Sequence, residues 1–278
     1  MEKTLLKGLA VLETLIANGQ PSGVSDLALQ LRLSKSNTHR LLNTLLVAGF
    51  VTTDNSRYSA SLKTWELGVR IMDNYDVRSI ARPVMERIAK STSESVRLAI
   101  LDATRIESVI IDAIDSSHVV RTFTELATRL PAHCTSSGKA LLAFQEKSVI
   151  DASVKKLKAH TRWTITDAEK FVKHLEKVRK DGYATNLREY DEHVRSVGAP
   201  IFTPDGSVIA SISIAAPAER ITATELNEFA RMLCAGAQKI SASMQSTGNV
   251  VDLYGTRRRR VAAKASRNSP ATTRRAKA

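Results

Sequence analysis

Residues 34–49 read SKSNTHRLLNTLLVAG, and this stretch decides the fold of the N-terminal part of the chain. The hydroxyl of Ser34 can cap a helix, because it can accept a hydrogen bond from a free backbone N–H of the first turn. Gly49 is a typical helix stop, so the pattern predicts a helix from about residue 34 to residue 48. The apolar face of this helix is formed by leucines at helical spacing, namely Leu41, Leu42, Leu45 and Leu46.

The polar face of the same helix is rich in hydrogen-bond donors and has no acidic side chain. A helix in the major groove presents its early residues to base edges, where Arg pairs with guanine and Asn with adenine. Lys and Ser more often hold phosphates. An ordinary solvated helix face is the alternative interpretation. We predict that the DNA-contacting residues of this helix are Lys35, Ser36, Asn37, Thr38, His39, Arg40 and Asn43.

Two further helices are predicted upstream of this stretch. Apolar residues at three- and four-residue steps, from Leu5 to Ile16, predict an amphipathic helix over residues 4–18. A Gly- and Pro-containing break follows, after which Ser25 and Asp26 are predicted to cap a second helix of about two turns. Two capped helices separated by a tight turn form the helix-turn-helix pattern.

A β-hairpin is predicted directly downstream. Residues 50–53 and 57–60 are short strand-forming runs, and Asp54 and Asn55 between them favour a turn. Such a hairpin forms the wing of a winged helix-turn-helix. Arg57 is predicted to reach a backbone phosphate or a minor groove, although a solvated hairpin arginine is an equal alternative.

The C-terminal part has the pattern of an α+β domain. A Thr-Pro-Asp-Gly turn at residues 203–206 joins two of its predicted strands. Two capping-box sequences, at residues 166–169 and 222–225, predict the start of helices. Strands joined by hairpins form an antiparallel sheet against which such helices pack. The β-branched and apolar runs that predict strands are residues 96–101, 108–114, 197–202 and 208–214.

Several motifs together resemble one family. Lys7–Glu13, Leu33–Leu42 and Ala48–Val51 resemble the winged helix-turn-helix of the IclR family of bacterial transcription regulators. The remaining motifs, in the order and spacing of that family's effector domain, are Thr135–Ala143, Val178–Ala184, Val197–Phe202, Ile212–Ile214 and Pro217. The motifs span about residues 4–246, and it is their conjunction that is specific.

The resemblance implies a GAF-like effector domain and a helical linker that helps to form a dimer. We therefore predict an α+β protein in which a winged helix-turn-helix is joined by a linker helix to a GAF-like α+β effector-binding domain. The predicted parts are a DNA-binding domain at 1–62, linker helices at 63–92, the effector domain at 93–247 and a disordered basic tail at 248–278.

The resemblance also implies a set of effector-binding residues. Their hydroxyls would hydrogen-bond an anion or a hydroxyl group, and the start of the helix at Lys139 suits a carboxylate. Local capping roles are an equal alternative for each serine. Family members that sense small 2-oxo acids can have an acidic residue at the position of Asn186 and a cysteine at the position of Ser196. The resemblance therefore does not identify the effector. The implied residues are Leu130, Ser136, Ser137, Asn186, Val194, Ser196, Ser213 and Ala215.

Three cationic side chains lie next to these stretches in the sequence. Arg129, His133 and Arg195 could neutralise a carboxylate, or serve structural roles. Catalytic motifs are not found: Ser136–Ala140 lacks the first glycine and the hydroxyl residue of a phosphate loop, and no HExxH or CxxC occurs. We therefore expect no catalytic residue, no cofactor and no metal site.

Composition and charge limit the possible functions further. The 278 residues carry a formal net charge of +13, and nine basic residues without an acidic one lie in residues 255–278. This charge favours a polyanionic partner. Two cysteines a hundred positions apart provide no disulfide framework. No apolar run approaches the roughly 18 to 20 residues of a membrane helix and no signal peptide is recognised, so we expect a cytoplasmic protein without a membrane partner.

These observations predict a transcription regulator whose DNA binding responds to a small carboxylate effector. A homodimer, or a dimer of dimers, would place paired recognition helices on a palindromic operator of double-stranded DNA. Two alternatives stay open at this point. One is an enzyme that uses the GAF-like cavity, and the other is a protein that coats DNA without sequence preference through its basic tail.

Overall fold

The structure is a computed structural model that describes residues 1–73 and 76–247. Its chain divides into two compact units, Met1–Ser79 and a second unit from Ile80 onward. The predicted ranges 1–62, 63–92 and 93–247 subdivide the chain more finely and stay a prediction. The predicted basic tail at 248–278 lies outside the described residues.

The first unit is a winged helix-turn-helix. Its three short strands form one antiparallel sheet in the order β1-β3-β2, with β2 and β3 as the hairpin wing. The prediction of two helices, a recognition helix and a wing is confirmed. The elements are α1 Lys3–Asn18, β1 Ser22–Gly23, α2 Val24–Leu31, α3 Lys35–Val47, β2 Val51–Asp54, β3 Arg57–Ala60 and α4 Leu62–Asp73.

The ends of these elements follow local chemistry. Ser34 caps α3 as predicted, because its Oγ accepts a hydrogen bond from the backbone N–H of Asn37 at 3.3 Å. The predicted cap at Ser25 is wrong: Gly23 is the N-cap of α2, and the Asp26 carboxylate accepts from the Gly23 N–H at 3.4 Å. An acidic side chain in the first turn also complements the helix dipole.

The wing turn lies one residue later than predicted. Asp54 belongs to β2 and pairs with Arg57, so the two turn residues are Asn55 and Ser56. Both have positive φ, 47° and 61°, as a two-residue turn of type I′ requires. Asn tolerates this conformation better than most residues, which explains its place in the turn.

The core of the first unit brings its three helices and the wing together. Val11 of α1, Leu27 of α2 and Leu42 of α3 are fully buried, and Val51 and Tyr58 of the wing pack against the same cluster. Each fully buried leucine stabilises the fold by about 1.5 to 3 kcal/mol. Leu41 and Leu42 of α3 therefore face the core and Leu45 packs against it, whereas Leu46, which was predicted on the same apolar face, is exposed.

The second unit is an α+β domain, as predicted. A six-stranded antiparallel sheet has the order β6-β5-β4-β9-β8-β7, so its two halves meet where β4 pairs with β9. α5 Asp76–Thr92 spans the boundary between the two units. The other elements are β4 Ser95–Asp102, β5 Glu107–Ile114, β6 Arg129–Pro131, α6 Ser136–Leu142, α7 Lys147–Val154, α8 Ala168–Asp181, β7 Ala184–Leu187, β8 Val194–Phe202, β9 Val208–Pro217 and α9 Ala223–Thr247.

The two predicted capping boxes have different outcomes. Thr222 and Glu225 form a reciprocal pair at the start of α9: the Glu225 carboxylate accepts from the Thr222 N–H at 2.7 Å, and the Thr222 hydroxyl accepts from the Glu225 N–H at 3.3 Å. At α8 the prediction placed the box one residue too early. The cap there is Asp167, whose Oδ1 accepts from the Lys170 N–H at 2.8 Å.

The core of the second unit places α6 beside α8. Leu141 and Leu142 of α6 pack with Phe171 and Leu175 of α8 in one buried cluster. This packing fixes the position of α6, the helix that carries the predicted effector serines. No helix within residues 1–73 and 76–247 is long and apolar enough to cross a membrane.

Candidate functional site

The exposed face of α3 carries six of the seven side chains predicted to contact DNA. Lys35, Ser36, His39, Arg40 and Asn43 are exposed, and Asn37 is half-buried. Local contacts organise this face: Arg40 Nη2 donates to Asn37 Oδ1 at 3.3 Å, and Asn43 Nδ2 lies 3.5 Å from His39 Nδ1. A guanidinium and an amide held side by side match the donor and acceptor groups of base edges.

Thr38 is a correction to the predicted set. Its side chain is fully buried, and its hydroxyl donates to the Ser34 carbonyl at 3.1 Å. Position 38 lies on the core side of α3, since it is three and four residues before the buried Leu41 and Leu42. We therefore remove Thr38 from the residues proposed to contact DNA.

Arg57 has a structural partner within the first unit. Its Nε donates to the Pro21 carbonyl at 3.0 Å, and its Nη2 donates to the same oxygen. The side chain thus ties the wing to the segment that precedes α2. The guanidinium is exposed and has five N–H groups, so this contact leaves donors for a phosphate. The phosphate contact of Arg57 stays a prediction.

A cavity of about 450 Å³ lies in the second unit and brings all eight predicted effector residues together. These residues come from β6, α6, β7, β8 and β9, which are far apart along the chain. The predicted residues that line the cavity are Leu130, Ser136, Ser137, Asn186, Val194, Ser196, Ser213 and Ala215.

The register of the sheet explains this convergence. Ser196 of β8 pairs with Asn186 of β7 on one side and with Ala215 of β9 on the other. Directly opposite residues of neighbouring strands point to the same face, so these side chains form one row. Ser136, from the start of α6, covers the row and donates from its Oγ to Ser196 Oγ at 2.8 Å.

Arg97 is a buried cation of this cavity, and it is absent from the residues predicted from the sequence. It lies on β4 directly opposite Ser213 of β9, and both line the cavity. Its side chain is 7% exposed, and its Nη2 donates to the carbonyl and the hydroxyl of Thr122 at 3.0 and 3.2 Å. Burial lowers the pKa of Arg97 to about 10, so it is cationic at neutral pH.

No carboxylate in the part of the chain that the structure describes lies within ion-pair distance of Arg97, although the negative charge of Asp115 opposes the effect of burial on its pKa. Burial outweighs this attraction, and an anionic ligand in the cavity would add compensating charge. The sequence contained one signal for this residue, an arginine within the otherwise apolar run Val96–Leu101.

The three cations considered from the sequence serve other contacts. Arg129 forms ion pairs with Asp102 and Glu107 at 2.8 and 3.3 Å. Arg195 Nη1 donates to the Ile221 carbonyl at 2.6 Å, and His133 Nε2 lies 2.9 Å from the Lys158 carbonyl oxygen. None of the three lines the cavity.

The exposed lining residues mark the side of the cavity that meets solvent. Phe123 and Arg121 come from the segment between β5 and β6, and Asp191, His193 and Glu219 come from the ends of β8 and β9. The lining also includes apolar side chains, among them the buried Ile110 and the half-buried Leu130, beside the polar serines. Such a cavity suits a small molecule with one anionic group and an apolar body.

The two cysteines do not have the properties of an ionised nucleophile. Burial, with a further contribution from Glu189, raises the pKa of Cys134 to about 12. Burial also raises the pKa of the Cys234 thiol above its usual range. Both side chains are therefore protonated at neutral pH, whereas a nucleophilic cysteine needs a lowered pKa.

Comparisons with known proteins agree with this architecture. The family model for the IclR helix-turn-helix domain matches residues 4–55, and the model for the bacterial transcriptional regulator IclR C-terminal domain matches residues 69–242. The HTH-type transcriptional regulator KdgR of Escherichia coli is 33% identical over 245 residues, which cover 87% of this chain and 92% of that protein. The HTH-type transcriptional repressor AllR of the same species is 32% identical, with 87% and 90% covered.

Solved structures show the same fold. The Thermotoga maritima IclR crystal structure superposes with a TM-score of 0.72 at 30% identity and covers 87% of this chain and 98% of that one. An IclR homologue from Microbacterium hydrocarbonoxydans, crystallised in complex with 4-hydroxybenzoate, has a TM-score of 0.76 at 24% identity, with 88% and 100% covered.

The polar face of a capped recognition helix, the wing and the family matches over both units lead to one conclusion. The named relatives are regulators of transcription. The chain belongs to the IclR family and is an IclR-type DNA-binding transcriptional regulator.

Proposed function

We propose that this regulator binds a small organic carboxylate in the cavity of its second unit, and that the ligand changes its affinity for an operator. The carrying observation is Arg97, a cation that is buried in the cavity wall and has no carboxylate within ion-pair distance among the described residues. An anionic group of a ligand would add negative charge beside this buried guanidinium, where a charge-assisted hydrogen bond is strong.

The remaining groups of the cavity define the rest of the ligand. The hydroxyls of Ser137 and Ser213 are placed to bond the carboxylate or a second polar group, and Leu130 and Ile110 offer an apolar wall. A volume of about 450 Å³ is within the usual range for small-molecule sites. Aromatic and short aliphatic acids are therefore the ligand classes that we propose.

The proposed response rests on differential binding. A ligand shifts an equilibrium only by as much as it favours one arrangement over the other. We propose a homodimer or a dimer of dimers on a palindromic operator, in which paired α3 helices read two half-sites. In this proposal Lys35, Ser36, Asn37, His39, Arg40, Asn43 and Arg57 contact DNA, and the protein acts in the cytoplasm.

A thermal-shift comparison tests the ligand class. The full chain is mixed with 4-hydroxybenzoate and with a panel of other aromatic and aliphatic acids, each beside its uncharged carboxamide. We expect one or more acids to raise the unfolding midpoint, since a ligand of the native state stabilises by mass action. We expect the matching carboxamides to lose at least about tenfold in affinity, because they cannot pair with Arg97.

The variant Arg97→Gln tests the residue itself. It keeps a hydrogen-bonding group but removes the cation, and we expect at least tenfold weaker binding of the acid by calorimetry. Arg105→Gln is the matched control, since Arg105 is exposed and outside the cavity. Equal binding of acid and carboxamide, or unchanged binding by Arg97→Gln, would contradict the proposal.

Arg40→Ala tests the proposed reading helix. The change removes a guanidinium that Asn37 holds on the exposed face of α3. We expect specific binding to weaken by about 1 to 3 kcal/mol if Arg40 contacts a base. The measurement is competition between the operator and a scrambled duplex. The control is Lys7→Ala, since Lys7 is an exposed residue of α1. An unchanged preference for the operator in Arg40→Ala would remove Arg40 from the contact set.

A further inference from the structure

Three side chains with metal-binding chemistry converge in the second unit outside the cavity. His133 and Cys134 lie between β6 and α6, and His160 lies between α7 and α8. Their ligating nitrogen and sulfur atoms are all within 4.8 Å of one another. Cys134 and His160 are 26 positions apart in the chain, so the fold, and not a sequence motif, brings the three together.

Hydrogen bonds hold both segments in place without a metal. The His133 Nε2 lies 2.9 Å from the Lys158 carbonyl oxygen, two residues before His160. The His160 N–H donates to Thr164 Oγ1 at 3.0 Å, and that hydroxyl donates to the Glu189 carbonyl at 2.6 Å. The donor atoms are thus positioned by the fold, which lowers the entropic cost of binding an ion.

The contact between His133 and Lys158 depends on the tautomer of the imidazole. The Lys158 carbonyl oxygen lies 2.9 Å from Nε2 and accepts from it when Nε2 carries the proton, whereas the Lys158 backbone nitrogen lies 3.4 Å from Nε2 and donates to it in the other tautomer. In the first tautomer the lone pair of Nδ1 is available to an ion, which is the arrangement that metal-binding histidines usually show. His133 is buried, and so is the neighbouring thiol of Cys134. A hydrogen-bonded buried histidine, a buried cysteine and an exposed histidine therefore surround one point.

A buried carboxylate oxygen near the cluster lacks a partner. Glu189 is 5% exposed, and its Oε2 has no hydrogen-bond partner among the described residues, while its Oε1 accepts from Lys139. Glu189 and Lys139 act on Cys134 with opposite charges, so their ion pair adds no net charge to the cluster.

We propose that His133, Cys134 and His160 form a zinc site. One thiolate and two imidazoles are ligands that Zn²⁺ prefers, whereas Ca²⁺ and Mg²⁺ prefer oxygen. Donor atoms around a tetrahedral zinc lie about 3.3 to 3.6 Å apart, given bonds of about 2.0 to 2.3 Å. The donor atoms, which lie within 4.8 Å of one another, would move closer together when an ion binds, and His160 is the exposed member of the set.

Three protein ligands leave a fourth position for water or an external ligand. On binding, the Cys134 S–H bond breaks, a sulfur–zinc bond forms and the proton leaves to solvent. This site is separate from the effector cavity, whose lining includes none of the three residues. The proposal therefore stands or fails independently of the carboxylate effector.

Cobalt substitution tests the site in the full chain. Metal-stripped protein is titrated with Co²⁺, and the near-ultraviolet charge-transfer band from thiolate to cobalt reports coordination by cysteine. We expect saturation at one ion per chain, and loss of the band when one equivalent of Zn²⁺ is added. Absence of the band, or binding without a defined stoichiometry, would overturn the proposal.

Matched variants assign the ligands. We expect Cys134→Ser to lose the charge-transfer band and His160→Ala to weaken Zn²⁺ binding at least tenfold. The controls are Cys234→Ser and His118→Ala, which change the second cysteine and a half-buried histidine outside the cluster. His160 is exposed, so its variant is expected to keep the unfolding midpoint of the metal-free wild type. Zinc affinity of His160→Ala equal to that of His118→Ala would exclude His160 as a ligand.

Discussion

The variant Glu189→Gln is expected to destabilise the second unit by about 3 to 5 kcal/mol, the usual result of removing one member of a buried ion pair. Lys139 is completely buried on α6, and its Nζ lies 2.5 Å from Glu189 Oε1. Glutamine keeps the shape of the side chain but leaves the ammonium without a counter-charge. The measurement is the free energy of unfolding in denaturant.

The loss should also depend on pH in a defined direction. Burial already lowers the pKa of Lys139, and removal of the Glu189 charge lowers it further. The unfolded chain then binds this proton more tightly than the folded one, so stability rises with pH below the ordinary lysine pKa of about 10.4. We expect the deficit of Glu189→Gln to shrink between pH 7 and pH 10.

Two comparisons make this result specific. The double variant Lys139→Met with Glu189→Gln removes the stranded charge and should recover much of the stability. Glu169→Gln breaks an exposed ion pair with Lys173 on α8 and should change the stability little. If Glu189→Gln lowers the free energy of unfolding no more than Glu169→Gln does, the buried ion pair contributes little to stability.

Gly138→Ala is expected to cost about 3 kcal/mol or more, because the added methyl group collides with backbone. A Cβ at position 138 would lie 2.3 Å from Ala132 Cα and 2.4 Å from the Ala132 carbonyl oxygen. Backbone atoms cannot turn aside as a side chain can, so α6 would have to move away from the segment before it. Overpacking of this kind costs typically 1 to 3 kcal/mol, and more where backbone resists.

A second glycine provides the control for Gly138→Ala. A Cβ at Gly236 of α9 would approach only side-chain atoms, Ile88 Cδ1 at 3.0 Å and Val84 Cγ1 at 3.1 Å. These atoms can shift, and alanine is also the better helix former, so we expect a much smaller change in Gly236→Ala. Equal unfolding midpoints for the two variants would contradict the argument from backbone contact at Gly138.

The helix-turn-helix could be predicted from sequence because its signals are local. The cap at Ser34, the leucine spacing of α3 and the wing all lie within about thirty residues, and each is confirmed. The errors there concern single positions. Thr38 was predicted to face DNA because it stands in a polar run, but the helical period places it on the core side of α3.

The cavity could be predicted only in part. The family resemblance named eight residues, and the structure places all of them on its wall. Arg97 could not be predicted as a cavity residue, because its position there depends on the pairing of β4 with β9, which sets it beside Ser213. Arg97 is also far along the chain from the other lining stretches, and it stands in an apolar strand. Neither feature indicates a cavity residue.

The cluster of His133, Cys134 and His160 shows the same limit more strongly. No metal site was expected from the sequence, since no metal-binding motif connects the two histidines. Hydrogen bonds from the segment at residues 158–164 to His133 and to the Glu189 carbonyl create the juxtaposition. Such contacts between distant segments follow from packing and cannot be read from residue order.

We propose that a carboxylate held by Arg97 changes operator binding. The most direct measurement is fluorescence anisotropy of an operator duplex, selected from random DNA by the wild-type protein, with and without a saturating acid from the thermal-shift panel. We predict that the acid changes the operator affinity of the wild type by about fivefold or more. We also predict that it leaves the operator affinity of Arg97→Gln unchanged. An unchanged wild-type affinity at saturating acid, or an equal change in Arg97→Gln, would contradict the account.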